Sequence, residues 1–593
     1  MSLGGTETGV VGQVSAESLM RHVASIAQWE RVSGTPGERQ AVEYIARSLE
    51  EYGLATRLYE VESLVGWPEH AAVEVLGPRA LSLRALAHAL APSTSPEGLT
   101  GELVYLGAGG ESDFERHRVA GKIVVTEGLP SPLKVLLAQG RGAACLVGIG
   151  KRFHDLCVSP VWGTPTPDTA RYLPRIPVVT VVEEEAAPLR SLLERGPVTA
   201  RVHARTFRGW RTTLLLTADI PGLFEPEDFV LLSGHHCSWY YGAMDNGAAN
   251  ATMLEVARLL SRHRRALRRG VRLAFWPGHT QGRYSGSTWY CDRFWEDLYD
   301  HCVLHVNVDS TGARGADLFR ALCMPEVRGL AVAAIHDVTG VRPEPERIPR
   351  AGDQSFWGCG ISALFMDLSH VPSDQAADTG SSLFTAAGER APRPQGGLPW
   401  WWHTPEDTLD KIDPENLRRD TQIYLLAVWR AATMPVLPLR FGATAHEIRR
   451  TLEEYQRQGA GRFSLDALID RAREVEAATS SLDRLADAIQ DGDDLPEEVL
   501  RMANRRLLAV GRALVPAYFS SVERFDQDLA IPIPPVPSLE GIRRLVAMDP
   551  GSDEYRFLLT ALVRGRNRTA FYLRQALEEA RAGCAELEAV LSA

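Results

Sequence analysis

The sequence lacks the features that would place it in a membrane or outside the cell. No stretch approaches the roughly 20 consecutive apolar residues that a membrane-spanning helix needs. The N-terminal segment MSLGGTETGVVGQVSAES has neither the basic start nor the apolar core of a secretory signal. The eight cysteines are scattered, without CxxC pairs or the regular spacing of a disulfide framework. We therefore expect a cytoplasmic protein with reduced cysteines and no membrane partner.

An excess of positive charge is also absent. The chain carries 64 Lys and Arg against 75 Asp and Glu, a net charge of −11. Because nucleic-acid-binding proteins usually present a basic surface, we expect no nucleic-acid partner. Hydrophobic residues make up 45% of the chain and charged residues 23%, which is typical of a globular protein. At 593 residues the chain is too long for one hydrophobic core, and its length predicts about three or four domains.

The central part of the chain has the pattern of an α/β domain. Residues near 15–60 show helical apolar spacing, for example at Leu19, Val23 and Ile26. From about 212, continuous apolar strands alternate with helices, as at Phe229–Ser233, Ala248–Leu260, Val271–Trp276 and Val303–Val308. This alternation predicts a mixed, mostly parallel sheet that is covered by helices on both faces. A Pro/Gly-rich loop at roughly 372–398 interrupts the end of the domain.

Two other parts of the chain differ from this pattern. Residues 62–205 contain short β-like runs that are separated by Gly and Pro, which predicts an inserted β-rich domain. Residues 445–593 are rich in Leu, Ala, Arg and Glu with helical spacing, which predicts a helical domain. The predicted division is therefore an α/β domain at 1–61 and 206–444, an insert at 62–205 and a C-terminal helical domain at 445–593.

Four side chains that are suited to metal binding lie at the predicted ends of strands or starts of helices. They are His235, Asp245, Asp309 and His403. Ligands of open α/β sheets bind outside the carboxyl ends of the strands, and two imidazoles with two carboxylates suit zinc in an open site. Singly, each residue has an ordinary explanation, since Asp245 fits a turn or helix N-cap and His403 fits a surface loop. The ordered set is much harder to explain by chance.

The motifs around these residues resemble those of the zinc aminopeptidase and glutamate carboxypeptidase II family, which includes the transferrin receptor. The matching pieces are Asp245-Asn246-Gly247, Asn307-Val308-Asp309 and His403-Thr404-Pro405-Glu406-Asp407-Thr408. The resemblance implies a zinc-exopeptidase fold and one or two zinc ions. It implies that His235 and Asp309 bind one zinc, that His403 binds the second, and that Asp245 bridges the two.

The resemblance extends to the outer parts of the chain. Residues 62–205, especially Val119–Val125, are similar to the protease-associated domain that is inserted in these relatives. Leu500–Leu507, Tyr572 and the final helices are similar to their dimerisation domain, which implies a homodimer formed through the C-terminal helices. Gly352–Trp357 resembles the segment that lines the substrate pocket, so Asp353 is a predicted substrate-binding residue.

The catalytic glutamate pair of this family is replaced here. His279 and Thr280 occupy its positions, and Cys237 replaces an aspartate two residues after His235. His279 is the predicted catalytic residue, either as a general base, since imidazole titrates near neutral pH, or as an additional metal ligand. Threonine is a poor zinc ligand compared with a carboxylate, and the role of Cys237 stays open. Arg283, just beyond the replaced pair, is a second predicted substrate-binding residue.

The leading hypothesis is therefore metal-dependent hydrolysis of an amide bond in a peptide or peptide-like small molecule. The missing glutamates leave two alternatives open. One is a catalytically inactive binding or interaction protein on a peptidase scaffold, and the other is a related acyl-transfer enzyme, as the glutaminyl cyclases are on a similar framework. Retention of all four candidate ligands, together with a base-competent replacement, favours the hydrolase.

Overall fold

Secondary structure alternates along the chain much as the apolar pattern predicts. The structure is a computed structural model that describes residues 4–377, 396–492 and 495–591. The strands are β1 Thr56–Gly77, β2 Leu81–Ala87, β3 Leu99–Tyr105, β4 Ile123–Glu127, β5 Cys145–Gly150, β6 Val178–Val182, β7 Thr199–Ile220, β8 Glu225–His235, β9 Arg269–Trp276, β10 Cys302–Asn307, β11 Leu318–Cys323, β12 Pro345–Arg347 and β13 Ala363–His370.

The helices follow the same numbering in chain order. They are α1 Gly5–Val11, α2 Ala16–Ile26, α3 Pro36–Glu51, α4 Glu111–Arg116, α5 Pro132–Gly140, α6 Glu183–Leu193, α7 Ala249–Arg262, α8 Ser285–Arg293, α9 Trp295–His301, α10 Arg328–Thr339, α11 Pro414–Thr433, α12 Gly442–Gln458, α13 Asp466–Asp491, α14 Glu497–Phe519 and α15 Asp553–Leu591. No described helix is both long and apolar enough to cross a membrane. The cytoplasmic location stays a prediction.

The central sheet is mixed and mostly parallel. Its strands lie in the order β7-β9-β8-β10-β13-β11-β12. Strands β9, β8, β10 and β13 are parallel neighbours, and β7 and β11 pair antiparallel at the two sides. Strand β10 is buried along its whole length because helices cover both faces, which explains its continuous apolar run. The predicted fold class, an α/β sheet covered by helices, is confirmed.

A long antiparallel ribbon connects the central sheet to a smaller one. Strands β1 and β7 pair from Thr56 with Ala218 to Gly77 with Thr199. At the far end the ribbon joins β2 to β6, of which β3, β4, β5 and β6 are parallel. The predicted limits 62 and 205 fall inside this ribbon, because Glu62 pairs with Thr212 and Arg205 with His70. The division into domains stays a prediction.

One local expectation is wrong, and another falls largely outside the described residues. The helical pattern near 15–60 forms α2 and α3 but ends at Glu51, and a strand begins at Thr56 because the chain pairs there with β7. Of the loop predicted at roughly 372–398, residues 378–395 lie outside the described residues. The predicted C-terminal helical part is confirmed and consists of α12 to α15.

Buried Arg512 fastens the C-terminal helices to the central sheet. It lies on α14, and its guanidinium donates to the carbonyls of Tyr299 (2.7 Å), Cys302 (2.8 Å) and Gly360 (3.0 Å). One charged group thus donates to three carbonyls of the central domain. The contact places α14 beside the loop between β12 and β13, which also carries Asp353.

Candidate metal centre and active site

The candidate site lies at the carboxyl ends of β8, β9 and β10. His235 is the last residue of β8, His279 follows β9 by three residues, and Asp309 follows β10 by two. His279 and Asp309 line a cavity of about 910 Å³ together with His403 and with Asp245, which comes from the turn before α7. His235 contacts Asp245 and Asp309. The parallel strands bring their carboxyl ends to one edge of the sheet, as the fold predicts.

Asp245 lies between two imidazoles. Its Oδ1 is 3.0 Å from Nε2 of His235, and its Oδ2 is 2.9 Å from Nε2 of His403. Asp309 approaches the first imidazole from another side, with Oδ1 3.5 Å from Nε2 of His235. The structure therefore brings together all four candidate ligands, which we call the four-residue cluster. Its centre is a carboxylate that faces one histidine with each oxygen.

The donor set of the four-residue cluster fits a metal ion. Nε2 of His235 and Oδ1 of Asp245 are both buried, and neither makes a hydrogen bond within the part of the chain that the structure describes. Buried polar atoms are rarely left without a partner. Four ligands around zinc at bonds of about 2.0–2.1 Å lie roughly 3.3 Å apart. The separations of 3.0 and 3.5 Å from His235 to the two carboxylates match that value. Imidazole nitrogens and carboxylate oxygens are zinc ligands.

The electrostatics of the cluster favour a cation. Burial alone would raise the pKa of the Asp245 carboxyl, but the imidazoles of His235 and His403 hold it well below its ordinary value. Burial opposes protonation of His235, yet Asp309 and Asp245 hold the pKa of this imidazole well above its ordinary value. Burial lowers the pKa of His403, which favours the neutral ring that a metal requires. The carboxylates thus create a negative site inside the protein.

The second nitrogen of each histidine in the cluster donates to a backbone carbonyl. Nδ1 of His235 is 2.8 Å from the carbonyl oxygen of Cys237, and Nδ1 of His403 is 2.6 Å from that of Asp155. Each hydrogen bond places a ring proton on Nδ1 and leaves the lone pair of Nε2 for a metal, an arrangement that is usual for metal-binding histidines. The partner of His403 comes from the predicted insert, 248 residues away in sequence.

Asp407 and Arg31 hold the backbone that carries Asp245. The Asp407 carboxylate accepts from the amides of Met244 (2.8 Å) and Asp245 (3.0 Å). The guanidinium of buried Arg31 donates to carbonyls of the same turn, at Tyr241 (2.6 Å) and Gly242 (2.9 Å). Gly242 has φ +47°, and a Cβ there would lie 2.2 Å from the carbonyl oxygen of Asp245. The turn that presents Asp245 therefore depends on glycine and on two buried charged groups.

His279 is held by a second carboxylate. Its Nδ1 lies 2.7 Å from Oδ2 of Asp353, which is fully buried. The His279 ring stacks on that of His235 with centroids 3.8 Å apart and planes inclined by 18°. A nitrogen lone pair lies in its ring plane. A zinc ion bound to both rings would therefore have to lie in both ring planes. Planes inclined by only 18° intersect much farther from the nitrogens than a zinc–nitrogen bond of about 2.0–2.1 Å. The stacking thus disfavours a single ion shared by both rings, although ligand atoms of His235, His279 and Asp309 lie within 4.8 Å of one another.

Cys237 and Thr280 contact each other behind His235. The Cys237 Sγ is 3.3 Å from Oγ1 of Thr280 and accepts from the Thr280 amide at 3.5 Å. Burial raises the pKa of this thiol, but the neighbouring His235 and His279, with Thr280, lower it to about 7. Cys237 does not line the cavity. Thr280 does line the cavity, so its contact with Cys237 connects the cavity wall to the loop after β8.

A known family of peptidases matches the part of the chain that carries the site. Residues 216–428 match the sequence pattern described as Peptidase family M28. The match contains His235, Asp245, His279, Asp309 and His403, so it spans the whole candidate site.

The chain is similar to curated proteins whose names are those of peptidases. A probable glutamate carboxypeptidase VP8 of Zea mays is 24% identical over 579 residues, covering 84% of this chain and 78% of the relative. Carboxypeptidase Q of Mus musculus is 26% identical over 274 residues, covering 44% of this chain. The chain spans only 58% of the length of that second relative.

Solved structures of aminopeptidases share the fold. An aminopeptidase from Aneurinibacillus sp. strain AM-1 superposes with a TM-score of 0.54 at 22% identity, over 72% of this chain and 96% of the other. A zinc aminopeptidase from Bacillus subtilis gives a TM-score of 0.52 at 18% identity, over 72% and 97% of the two chains. At these identities the likeness shows the common fold.

The two predicted substrate-binding residues lie in different surroundings within the matched segment. Arg283 lines the cavity, and its guanidinium lies 5.2 Å from the centre of the Tyr284 ring. It donates long hydrogen bonds to the carbonyls of Cys157 (3.5 Å) and Ala530 (3.4 Å). Asp353 is not among the lining residues, and its carboxylate contacts His279 and Ser287. Substrate binding by Asp353 stays a prediction, whereas its observed contacts are those of a partner for His279.

Several residues that support the site carry no functional prediction from sequence. Asp407 lies within a motif that matches the family, so its spacing from His403 offers a signal. Arg31, Asp155 and Trp162 lie 372, 248 and 241 positions from His403, and no local pattern links them to the site. Their roles follow from tertiary contacts alone.

Proposed function

We propose that the chain is a zinc-dependent hydrolase that cleaves amide bonds in peptides or peptide-like small molecules. The observation that carries this proposal is the position of Asp245, which faces His235 with one oxygen and His403 with the other at the mouth of the cavity. The match to family M28, and the likeness to a solved zinc aminopeptidase, support both the reaction class and the metal.

In this proposal His279 replaces the missing glutamate as general base. The Nδ1–H of His279 donates to Asp353, so Nε2 has the free lone pair and accepts a proton from the attacking water. Asp353 holds the ring in this tautomer and stabilises the imidazolium, and Nε2 then returns the proton to the leaving amine. When bound, zinc would polarise the substrate carbonyl and acidify water. The stacking with His235 supports the role of base over that of ligand.

The donor count supports one tightly bound metal ion in each chain. His235, Asp245 and Asp309 offer three donors at one position. The second position has His403 and the other Asp245 oxygen, because Thr280 stands where the family has a carboxylate and contacts Cys237 instead. Two protein donors hold zinc weakly compared with three.

The walls of the cavity support a peptide-like substrate with a bulky apolar group. Beyond the candidate ligands the lining includes Leu322, Phe319 and Phe365, with charged groups between them. Small-molecule sites have volumes of roughly 300–1,000 Å³ and mostly apolar walls with a few polar groups. A cavity of about 910 Å³ holds more than a free amino acid, and Arg283 is placed to contact an anionic group of the substrate.

The first prediction concerns metal content and turnover. Protein that is stripped by chelation and re-dialysed against zinc is expected to retain about one ion per chain, measured by inductively coupled plasma mass spectrometry. The loaded protein is expected to hydrolyse some members of a panel of aminoacyl-coumarin amides and dipeptides, and the stripped protein none. Apolar residues at the position before the scissile bond should be preferred, because Leu322, Phe319 and Phe365 line the cavity.

The same panel separates the alternatives. A loaded protein that turns over nothing would favour a binding protein on a peptidase scaffold and would contradict our proposal. Products that weigh less than substrate by one ammonia, without uptake of water, would indicate a cyclase. Mass spectrometry of the products distinguishes this outcome from hydrolysis, in which the two fragments together gain one water.

We also propose that the chain forms a homodimer through its C-terminal helices. Phe557 and Phe571 on α15 are 71% and 48% exposed, and a groove of about 480 Å³ lies between α15 and residues 523–525. Exposed aromatic side chains that cluster on one face are typical of protein interfaces.

The second prediction tests this dimer. Multi-angle light scattering is expected to give twice the chain mass for the wild type and the single-chain mass for Phe571→Glu, because a buried unpaired carboxylate opposes association. Leu223→Glu, which charges an exposed apolar residue outside the C-terminal helices, should leave the dimer intact. A monomeric wild type at micromolar concentration would contradict the proposal.

A further inference from the structure

A continuous row of hydrogen bonds runs from the predicted insert to His279. Nε1 of Trp162 lies 2.8 Å from Oγ of Ser355, which lies 2.9 Å from Oγ of Ser287. Oγ of Ser287 lies 2.7 Å from Oδ1 of Asp353, and the other oxygen of Asp353 lies 2.7 Å from Nδ1 of His279. Except for His279, whose side chain reaches the cavity, the members of this row are buried.

Chemistry fixes the direction of the row. An indole nitrogen only donates, so Ser355 accepts from Trp162 and has its own proton for Ser287. Ser287 in turn donates to the carboxylate of Asp353, which as an ion only accepts. The last bond therefore has His279 as donor through Nδ1. The N–H of Trp162 thus sets the direction in which both serine hydroxyl groups donate. The row favours the tautomer of His279 in which Nδ1 carries the proton and Nε2 has a free lone pair.

Trp162 is rigidly held, and it also reaches His279 by packing. Its ring stacks on Tyr284 with centroids 3.8 Å apart and planes inclined by 21°. The rings of Tyr284 and His279 are nearly perpendicular, with centroids 4.6 Å apart and planes inclined by 83°. On its other side, the guanidinium of Arg350 lies 3.8 Å from the Trp162 ring centre. Arg350 donates to the carbonyls of Gln354 and Asp528, so it joins the Asp353 loop to the segment after α14.

We propose that Trp162 is a positioning residue for His279, which it orients through Ser355, Ser287 and Asp353. This inference rests on the proposed function, in which His279 is the base. It gives the predicted insert a part in the reaction that does not require contact with substrate. Hydrogen bonds in such a row strengthen one another in a buried environment, so loss of the first donor is felt at the last acceptor.

The third prediction is a double-mutant cycle. Trp162→Phe keeps an aromatic ring against Tyr284 but removes the N–H and one ring of the indole, a loss of volume that the Trp429→Phe control shares. We expect kcat to fall about fivefold to tenfold, the usual effect of one lost hydrogen bond, with KM within twofold and zinc content unchanged. In an Asp353→Asn background the same change should have almost no further effect, because the row is already broken. Equal effects in both backgrounds would overturn the inference.

Three further variants guard against a merely structural effect. Ser355→Ala should reproduce the loss and Ser355→Thr, which keeps a hydroxyl, should restore most of kcat. Trp429→Phe alters a tryptophan that is equally buried, 4% exposed on α11, but does not line the cavity, so its kcat should equal that of the wild type. A loss that Ser355→Thr fails to restore would count against the row.

A spectroscopic measurement separates failure of this inference from failure of the proposed function. A proton shared between an imidazole and a carboxylate gives a far-downfield proton resonance, which is expected in the wild type and absent from His279→Gln. Trp162→Phe should shift this resonance and Trp429→Phe should not. If the chain turns over no substrate but the resonance responds in this way, the row stands and the hydrolase proposal fails. A resonance that ignores Trp162→Phe in such a chain would overturn the inference.

Discussion

Replacing His279 by alanine is expected to lower kcat by about 10²–10⁴-fold while zinc content stays at the wild-type value. The imidazole is the only group in our proposal that accepts the proton of the attacking water. Its ring lies parallel to that of His235, a geometry that suits a neighbour of the metal-bound region better than a ligand of the same ion. Steady-state kinetics and metal analysis on the same preparation test both parts of this fourth prediction.

The two parts of the result separate the roles of His279. If zinc content falls together with kcat, His279 is a ligand and the base must be sought elsewhere. His279→Gln keeps a side chain of similar length that cannot accept a proton at neutral pH, and it should be as inactive as the alanine variant. His301→Ala serves as the matched control, because this histidine is 32% exposed near Asp228 and outside the cavity lining.

Replacing Asp245 by alanine is expected to abolish turnover and to reduce zinc content to a small fraction of the wild-type value. This carboxylate is the one side chain of the four-residue cluster that faces both histidines, so its loss removes a donor from each position at once. Zinc should also no longer raise the thermal unfolding midpoint, because a ligand stabilises only a protein that binds it. Calorimetry with and without added zinc measures this fifth prediction.

A carboxylate in the same cavity provides the control for Asp245. Asp317 lines the cavity but forms no ion pair with either histidine of the four-residue cluster, so Asp317→Ala should keep zinc content at the wild-type value. An Asp245→Ala protein that still bound one zinc per chain would contradict the assigned donor set. Retained activity in that variant would exclude the four-residue cluster as the reaction centre.

The sequence predicts the central fold and the approach of the candidate ligands because both depend on local patterns. Continuous apolar runs such as Val303–Val308 mark strands that are buried on both faces, and parallel strands bring their carboxyl ends to one edge. The sequence alone therefore predicts that His235 and Asp309 lie close together. The order of the motifs supplied Asp245 and His403, whose loops have no such geometric rule.

The contacts of His279 could not be predicted, because they depend on tertiary structure. The sequence left His279 open as base or ligand, and the observations that bear on this choice are its stacking on His235 and its bond to Asp353. Asp353 itself was expected at the substrate. Its place behind His279 follows from the path of the loop between β12 and β13, which local periodicity does not encode.

The boundary between the insert and the α/β domain shows a similar limit. Composition changes near residues 62 and 205, but the chain does not change its secondary structure there, since β1 and β7 run as one ribbon through both limits. A pattern of short strands indicates where a new core begins. It does not reveal that two strands belong to both sheets.

The hydrogen bond from His403 to Asp155 has a consequence for how the protein acquires its activity. Its two ends are 248 residues apart, and closing so long a loop is among the slower events of folding. The His403 imidazole, which faces Asp245, gains this hydrogen bond only when the segment that carries Asp155 packs against it. Residues 216–428 expressed alone would contain every candidate ligand yet lack this partner, so the second metal position, which His403 forms with Asp245, is completed by a contact from outside the matched segment.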